Sequence, residues 1–183
     1  MTVKKLAVSR VYSASGFSLE NILRLLMLVS ALALAGCGFH LRGQVAMPFN
    51  TVYIKTETPG TPFINSLRRK LEINNVDIAE SAEEADVILD IVNESSSKQV
   101  LSLGADGRVN EFRLSFHVSL RAYDLKQREW LAAEELVQVR DLSFDDTQIL
   151  AKEAEEVQLQ KSMRNEMVQQ IERRLGYAKP RPQ

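Results

Sequence analysis

Between Glu111 and Ala122 the chain alternates without a break: Phe112, Leu114, Phe116, Val118, Leu120 and Ala122 stand against Glu111, Arg113, Ser115, His117, Ser119 and Arg121. Successive side chains of a β-strand point to opposite faces, so this run reads as one long strand with a dry face and a wet face. A helix would scatter the same apolar residues around its circumference. Whatever else folds must cover one side of a sheet built on this strand.

The flanking segments supply that sheet and its cover. Gly104-Ala105-Asp106-Gly107 carries the Asp-Gly turn signal of a hairpin. Before it, residues 86–92 form an apolar-centred strand, which Val100-Leu101-Ser102-Leu103 continues or re-forms. After it, Trp130 to Arg140 returns as a last strand, with Leu131, Ala133, Val137 and Val139 expected on one side. These three make an antiparallel meander. Thr51 to Lys55 is a further short strand rich in β-branched residues. Thr61-Pro62 is an N-cap with a first-turn proline, followed by Ile64, Leu67 and Leu71 at helical spacing up to Asn74-Asn75. Strand, helix and strand in succession form a crossover unit that pairs its strands in parallel. A second, longer helix starts near Asp145-Asp146-Thr147 and closes at Gly176, with Pro180 beyond. Leu159, Met163, Met167, Ile171 and Leu175 form its ridge, whereas Leu150, Ala154 and Val157 lie on another face, which implies a kink or a change of partner near Gln158. The predicted fold is an α+β sandwich: a mixed sheet of about four strands with two helices packed on one face.

Upstream, Leu34-Ala35-Gly36-Cys37 closes the apolar run from Leu25 to Ala35. That run is too short to span a bilayer and matches the core of a signal peptide, and Lys4, Lys5, Arg10 and Arg24 precede it. An aliphatic residue three places before a cysteine, with small residues between, is what a lipoprotein signal peptidase accepts. Residues 1–36 are therefore expected to be removed, with translation itself starting near Leu19. Cys37 is expected to carry an S-diacylglycerol thioether and an N-palmitoyl chain. Residues 37–50 then read as a lipidated tether, 51–176 as a single periplasmic domain and 177–183 as a disordered tail. Gly38 rather than an aspartate follows Cys37, so the usual inner-membrane retention signal is absent.

Removing residues 1–36 takes away four of 23 basic and one of 24 acidic side chains and leaves a net charge near −4. Sequence-blind nucleic-acid binding runs on an excess of Lys and Arg, so nucleic acid is not an expected partner. Cys37 is the only cysteine. Once it is lipidated no thiol remains, and His40 and His117 stand alone, so no metal or cofactor is called for beyond the covalent lipid. The chain lacks a G-x-S-x-G elbow and a phosphate loop, and no enzyme is expected. Arg108 at the hairpin tip, Arg113, His117 and Arg121 in a row on the wet strand face, and Lys152 near the start of the second helix can meet phosphates, because arginine forks match phosphate oxygens. The same residues also suit ordinary cross-strand and helix-surface ion pairs.

The residues Cys37-Gly38-Phe39-His40-Leu41-Arg42-Gly43, together with the hairpin from Gly107 to Phe112, Leu150-Ala151-Lys152 and Arg173-Arg174-Leu175, resemble the lipopolysaccharide-assembly lipoprotein family LptE over nearly the whole chain after residue 36. The resemblance implies a four-stranded sheet with two helices. It also implies a lipid-anchored protein on the periplasmic side of the outer membrane, acting as a non-enzymatic plug in the β-barrel protein LptD during insertion of lipopolysaccharide into the outer leaflet. Family members hold lipopolysaccharide through basic residues at the hairpin tip and near the second helix. Lys152 matches in place, whereas Arg108 is displaced by a few residues from Ala105, where the family's basic residue would fall; Arg113 is the third candidate. The rival expectation is a freestanding periplasmic lipid carrier or scaffold lipoprotein with no barrel partner.

Overall fold

The computed structural model describes residues 20–21, 23–27 and 45–181. The chain divides into two units at residues 43 and 44. In the first, residues 20–21 and 23–27 are helical and exposed. Among the described residues no helix is long and apolar enough to cross a membrane. Cys37, most of the apolar run before it and the tether up to Gln44 lie outside the described residues.

The second unit contains β1 (Thr51–Thr56), α1 (Pro62–Ile73), β2 (Asp77–Ile78), β3 (Val87–Leu103), β4 (Val109–Tyr123), β5 (Glu129–Ser143) and α2 (Ile149–Gly176). One sheet runs in the order β2-β1-β3-β4-β5. β1 pairs in parallel with β2 and with β3, as the crossover requires, and β3, β4 and β5 form the antiparallel meander. β2 is a strand beyond the expected four; at two residues it is too short to show any periodicity.

Both helices cover the face that the alternation in β4 marks as dry. Leu114, Phe116, Val118, Leu120 and Ala122 join Phe63, Ile64, Leu67 and Leu71 of α1 and Met163, Met167, Ile171 and Leu175 of α2 in one core. Phe63 meets Phe116 edge to face, with ring centroids 5.5 Å apart. The four α1 residues are fully buried, each contributing about 2 kcal/mol of apolar burial. Thr61 caps this helix by accepting from the Ile64 amide at 3.2 Å. Its other end is a Schellman turn: Asn75 takes φ 59°, and the amides of Asn75 and Val76 donate to the carbonyls of Glu72 and Leu71.

Four boundaries differ from the sequence reading. β3 is unbroken through Ser95-Ser96-Ser97, because pairing with β4 from Ile88↔Tyr123 to Leu103↔Val109 overrides the weak strand preference of the serines. In β5 a register shift lies between the pairs Leu120↔Glu134 and Ala122↔Leu131, and the strand changes face there. Leu131 still packs on the core, but farther along Leu136 and Leu142 are buried while Val137 and Val139 are exposed on the other face. The tether is docked from Val45 onward: its amide donates to Asn74 Oδ1 at 3.0 Å, and buried Phe49 meets Trp130 edge to face. The tail is also held as far as Arg181, since Ala178 is buried and Arg181 bonds Glu129 through both its amide and its guanidinium. α2 is one helix, preceded by a 3-10 turn at Asp146–Gln148 that Asp145 caps. Near Gln158 its packing changes, because Leu150 and Val157 are exposed whereas Leu159 and Met163 meet the core.

Candidate functional site

Beyond Ile91 β3 leaves the core, while β4 keeps one face buried as far as Leu114 and β5 at Leu136 and Leu142. No residue of β3 from Val92 to Leu103 is buried, and this distal end meets the start of α2. Three cations collect there. Lys98, which the sequence reading did not single out, sits over the Phe112 ring with its ammonium 4.2 Å from the centroid and pairs with Glu156 of α2. Phe112 meets Phe144 edge to face at 5.2 Å. Lys152, with only 17% of its side chain exposed, bonds Ser143 Oγ at 3.0 Å and Glu155 at 2.9 Å. Arg108 lies between Asp146 at 3.0 Å and Asp106 at 3.5 Å.

The 143–148 segment joins the two expected contacts: Ser143 touches Lys152, the Phe144 amide donates to the Asn110 carbonyl at 2.7 Å, and Asp146 touches Arg108. Hydrogen bonds from the Thr147 hydroxyl and amide hold the Asp145 carboxyl below the usual carboxylate range, with the Lys152 charge assisting. A cleft of about 650 Å³ opens beside the hairpin, and Asp106, Asp145 and Asp146 line it with Arg108 as the lone cation. The cleft itself is therefore negative, and the two cations nearer α2, Lys98 and Lys152, lie outside its lining. Around them stand exposed apolar side chains, Val100 beside Phe112, Leu103 at the strand end, and Ile149 and Leu150 at the helix start.

Arg113 is not brought to this group. Its Nε and Nη2 donate to the two carboxylate oxygens of Asp141, at 2.8 and 3.0 Å. That hydrogen-bonded pairing raises the Arg113 pKa and lowers that of Asp141. His117 meets Glu135 at 3.1 Å, and Arg121 meets Asp90 at 2.9 Å. The row along the wet face of β4 is thus the set of cross-strand ion pairs that the sequence left as its alternative. Among the described residues no group of three or more metal-ligating side chains is arranged to hold a metal.

The fold is shared with solved lipoproteins. Lipoprotein B of Nitrosomonas europaea is 39% identical with a TM-score of 0.65, over 74% of this chain and 88% of that one. Rare lipoprotein B of Shewanella oneidensis is 25% identical with a TM-score of 0.59, over 67% and 90%. These likenesses define the class, an α+β lipoprotein domain. The LptE family model, described as lipopolysaccharide-assembly, matches residues 49–175. LPS-assembly lipoprotein LptE of Photorhabdus laumondii is 31% identical over 167 residues, covering 85% of this chain and 86% of the relative. Its counterpart in Yersinia pestis is 33% identical over 164 residues, covering 85% and 76%. The chain belongs to the LptE family of lipopolysaccharide-assembly lipoproteins. That family is not a known family of enzymes.

Proposed function

We propose that this protein is a non-catalytic lipoprotein, acylated at Cys37 and held on the periplasmic side of the outer membrane, that plugs the LptD barrel and contacts lipopolysaccharide with the distal end of its sheet. The observation that carries the lipid contact is the company these cations keep. Lys98 and Lys152 stand among exposed Val100, Ile149 and Leu150, and a ligand with phosphates beside acyl chains needs both kinds of group. Lys152 is the principal contact and Arg108 the lesser one, because Arg108 is already shared by two aspartates. Binding substitutes phosphate oxygens for Glu155 and Ser143 around the Lys152 ammonium.

Lys152→Asp combined with Arg108→Gln is expected to weaken lipopolysaccharide binding at least tenfold, the equivalent of about 1.4 kcal/mol, and to leave the barrel complex and the fold intact. Unchanged binding at low salt, where charge contacts are least screened, removes this pair from the site. The barrel partnership has its own test: extraction from outer membranes followed by mass measurement should give a one-to-one complex with LptD, and a lone monomer returns the reading to a free carrier. Cys37→Ala is expected to abolish palmitate labelling.

A further inference from the structure

At the other end of α2 a cleft of about 780 Å³ opens between the start of β5, the last turn of the helix and the chain beyond it. Arg173, Arg174, Lys179 and Arg181 line it, with Trp130 as one wall and Tyr177, 86% exposed, at its mouth. Glu134 engages Arg174 and Glu129 engages Arg181, each at 2.8 Å. Arg173 and Lys179 have no carboxylate partner among the described residues, so this end carries two uncompensated positive charges on a chain whose net charge is −1. The helix dipole accounts for cations in the last turn of α2; it does not account for Lys179, beyond the helix, or for the exposed tyrosine.

The chain that descends from Cys37 arrives at this same end. A Cβ on Gly176 would lie 2.3 Å from Val45 Cγ1, and Phe49 packs on Trp130, the tryptophan that walls the cleft. Only residues 38–44 separate Cys37 from Val45, a reach of at most about 28 Å when fully extended. An acylated Cys37 therefore keeps a bilayer surface within reach of this end of the domain. Aromatic rings with polar tips beside Lys and Arg are the composition that settles at the head-group level of a bilayer, and an anionic leaflet attracts such cations.

We propose that this cleft seats the phosphate head groups of the glycerophospholipid leaflet that holds the acyl chains of Cys37, so that the domain is docked on its membrane as well as tethered to it. The proposal rests on Cys37 being the anchor. Trp130 is the only tryptophan in the chain, and its fluorescence reports on the site. The acylated protein is to be reconstituted into vesicles of phosphatidylcholine alone or of phosphatidylcholine with phosphatidylglycerol, each containing a phospholipid with a quencher on its head group. Quenching of Trp130 should be stronger on the phosphatidylglycerol vesicles. It should fall to the level of neutral vesicles in Arg173→Glu/Lys179→Glu, and in the milder Arg173→Gln/Lys179→Gln should the first variant lose its fold by circular dichroism. Equal quenching on both vesicles, or quenching indifferent to these substitutions, overturns the proposal. So does a double variant that loses lipopolysaccharide binding while its phospholipid quenching is unchanged. The mass of the Cys37 peptide is read on the same sample. An acyl-free chain that still shows charge-dependent quenching refutes the anchor and keeps the cleft.

Discussion

A single buried carboxylate ties together the three segments that meet where the chain enters the domain at Val45. Glu172, 5% exposed, accepts from Asn74 Nδ2 at 2.8 Å and faces Lys70 at 3.2 Å, while Asn74 Oδ1 takes the Val45 amide. Asn74→Ala leaves a buried acceptor short of a donor and frees the incoming chain, so a loss of about 2 kcal/mol is expected in urea unfolding. Two other carboxyls bend the pH profile in opposite directions. The Asn50 and Thr51 amides hold Asp86 below its ordinary pKa. Its contribution to stability is present above the unfolded value near 3.9 and is lost as the pH falls toward the folded value, so Asp86→Asn should flatten the acid limb of the stability curve. Burial pushes Glu94 up, against a hydrogen bond from the Thr61 hydroxyl. Ionised Glu94 is thus a liability at neutral pH. Glu94→Gln should stabilise the fold there, and the gain should vanish as the pH falls through the raised pKa; a gain that persists in acid assigns the effect to something other than titration.

At the scale of elements, what the sequence disclosed was what repeats. The alternation in β4 carries twelve residues of one phase, and the structure buries the face it marks. The ends of α1 were equally legible, since Thr61-Pro62 and Asn74-Asn75 are the residues that a cap and a left-handed turn require. β5 was misread because a register shift writes no signal in residue types: on either side of it the strand still reads as alternating, but the faces have been exchanged. The correction can be measured. Leu136→Ala should cost about 2–4 kcal/mol as a core deletion, whereas Val137→Thr, on the uncovered face, should stay within about 0.5 kcal/mol; the reverse order would restore the original phase. Lys98 was hidden in the same way. It sits in a serine-rich run with no period of its own, and only pairing with β4 and contact with α2 bring its ammonium to Phe112 and Glu156.

Across the whole molecule the two cationic regions sit at opposite ends of α2. Its 28 residues rise 1.5 Å each and so separate the ends by roughly 42 Å, about four Debye lengths at 0.1 M salt. A chain with excess negative charge cannot attract a polyanion as a whole, so each region must act through its own local field. That separation makes a quantitative demand on any pair of substitutions, one from each end. Sites this far apart with no shared partner add to within about 0.5 kcal/mol. In a double-mutant cycle of Lys152→Asp with Lys179→Glu, lipopolysaccharide binding should therefore respond to the first change alone, and Trp130 quenching by anionic phospholipid to the second alone. A coupling above about 1 kcal/mol in either readout, with folding unchanged, would mean that one ligand molecule spans both ends. The division into a distal lipopolysaccharide contact and a proximal membrane contact would then have to be given up.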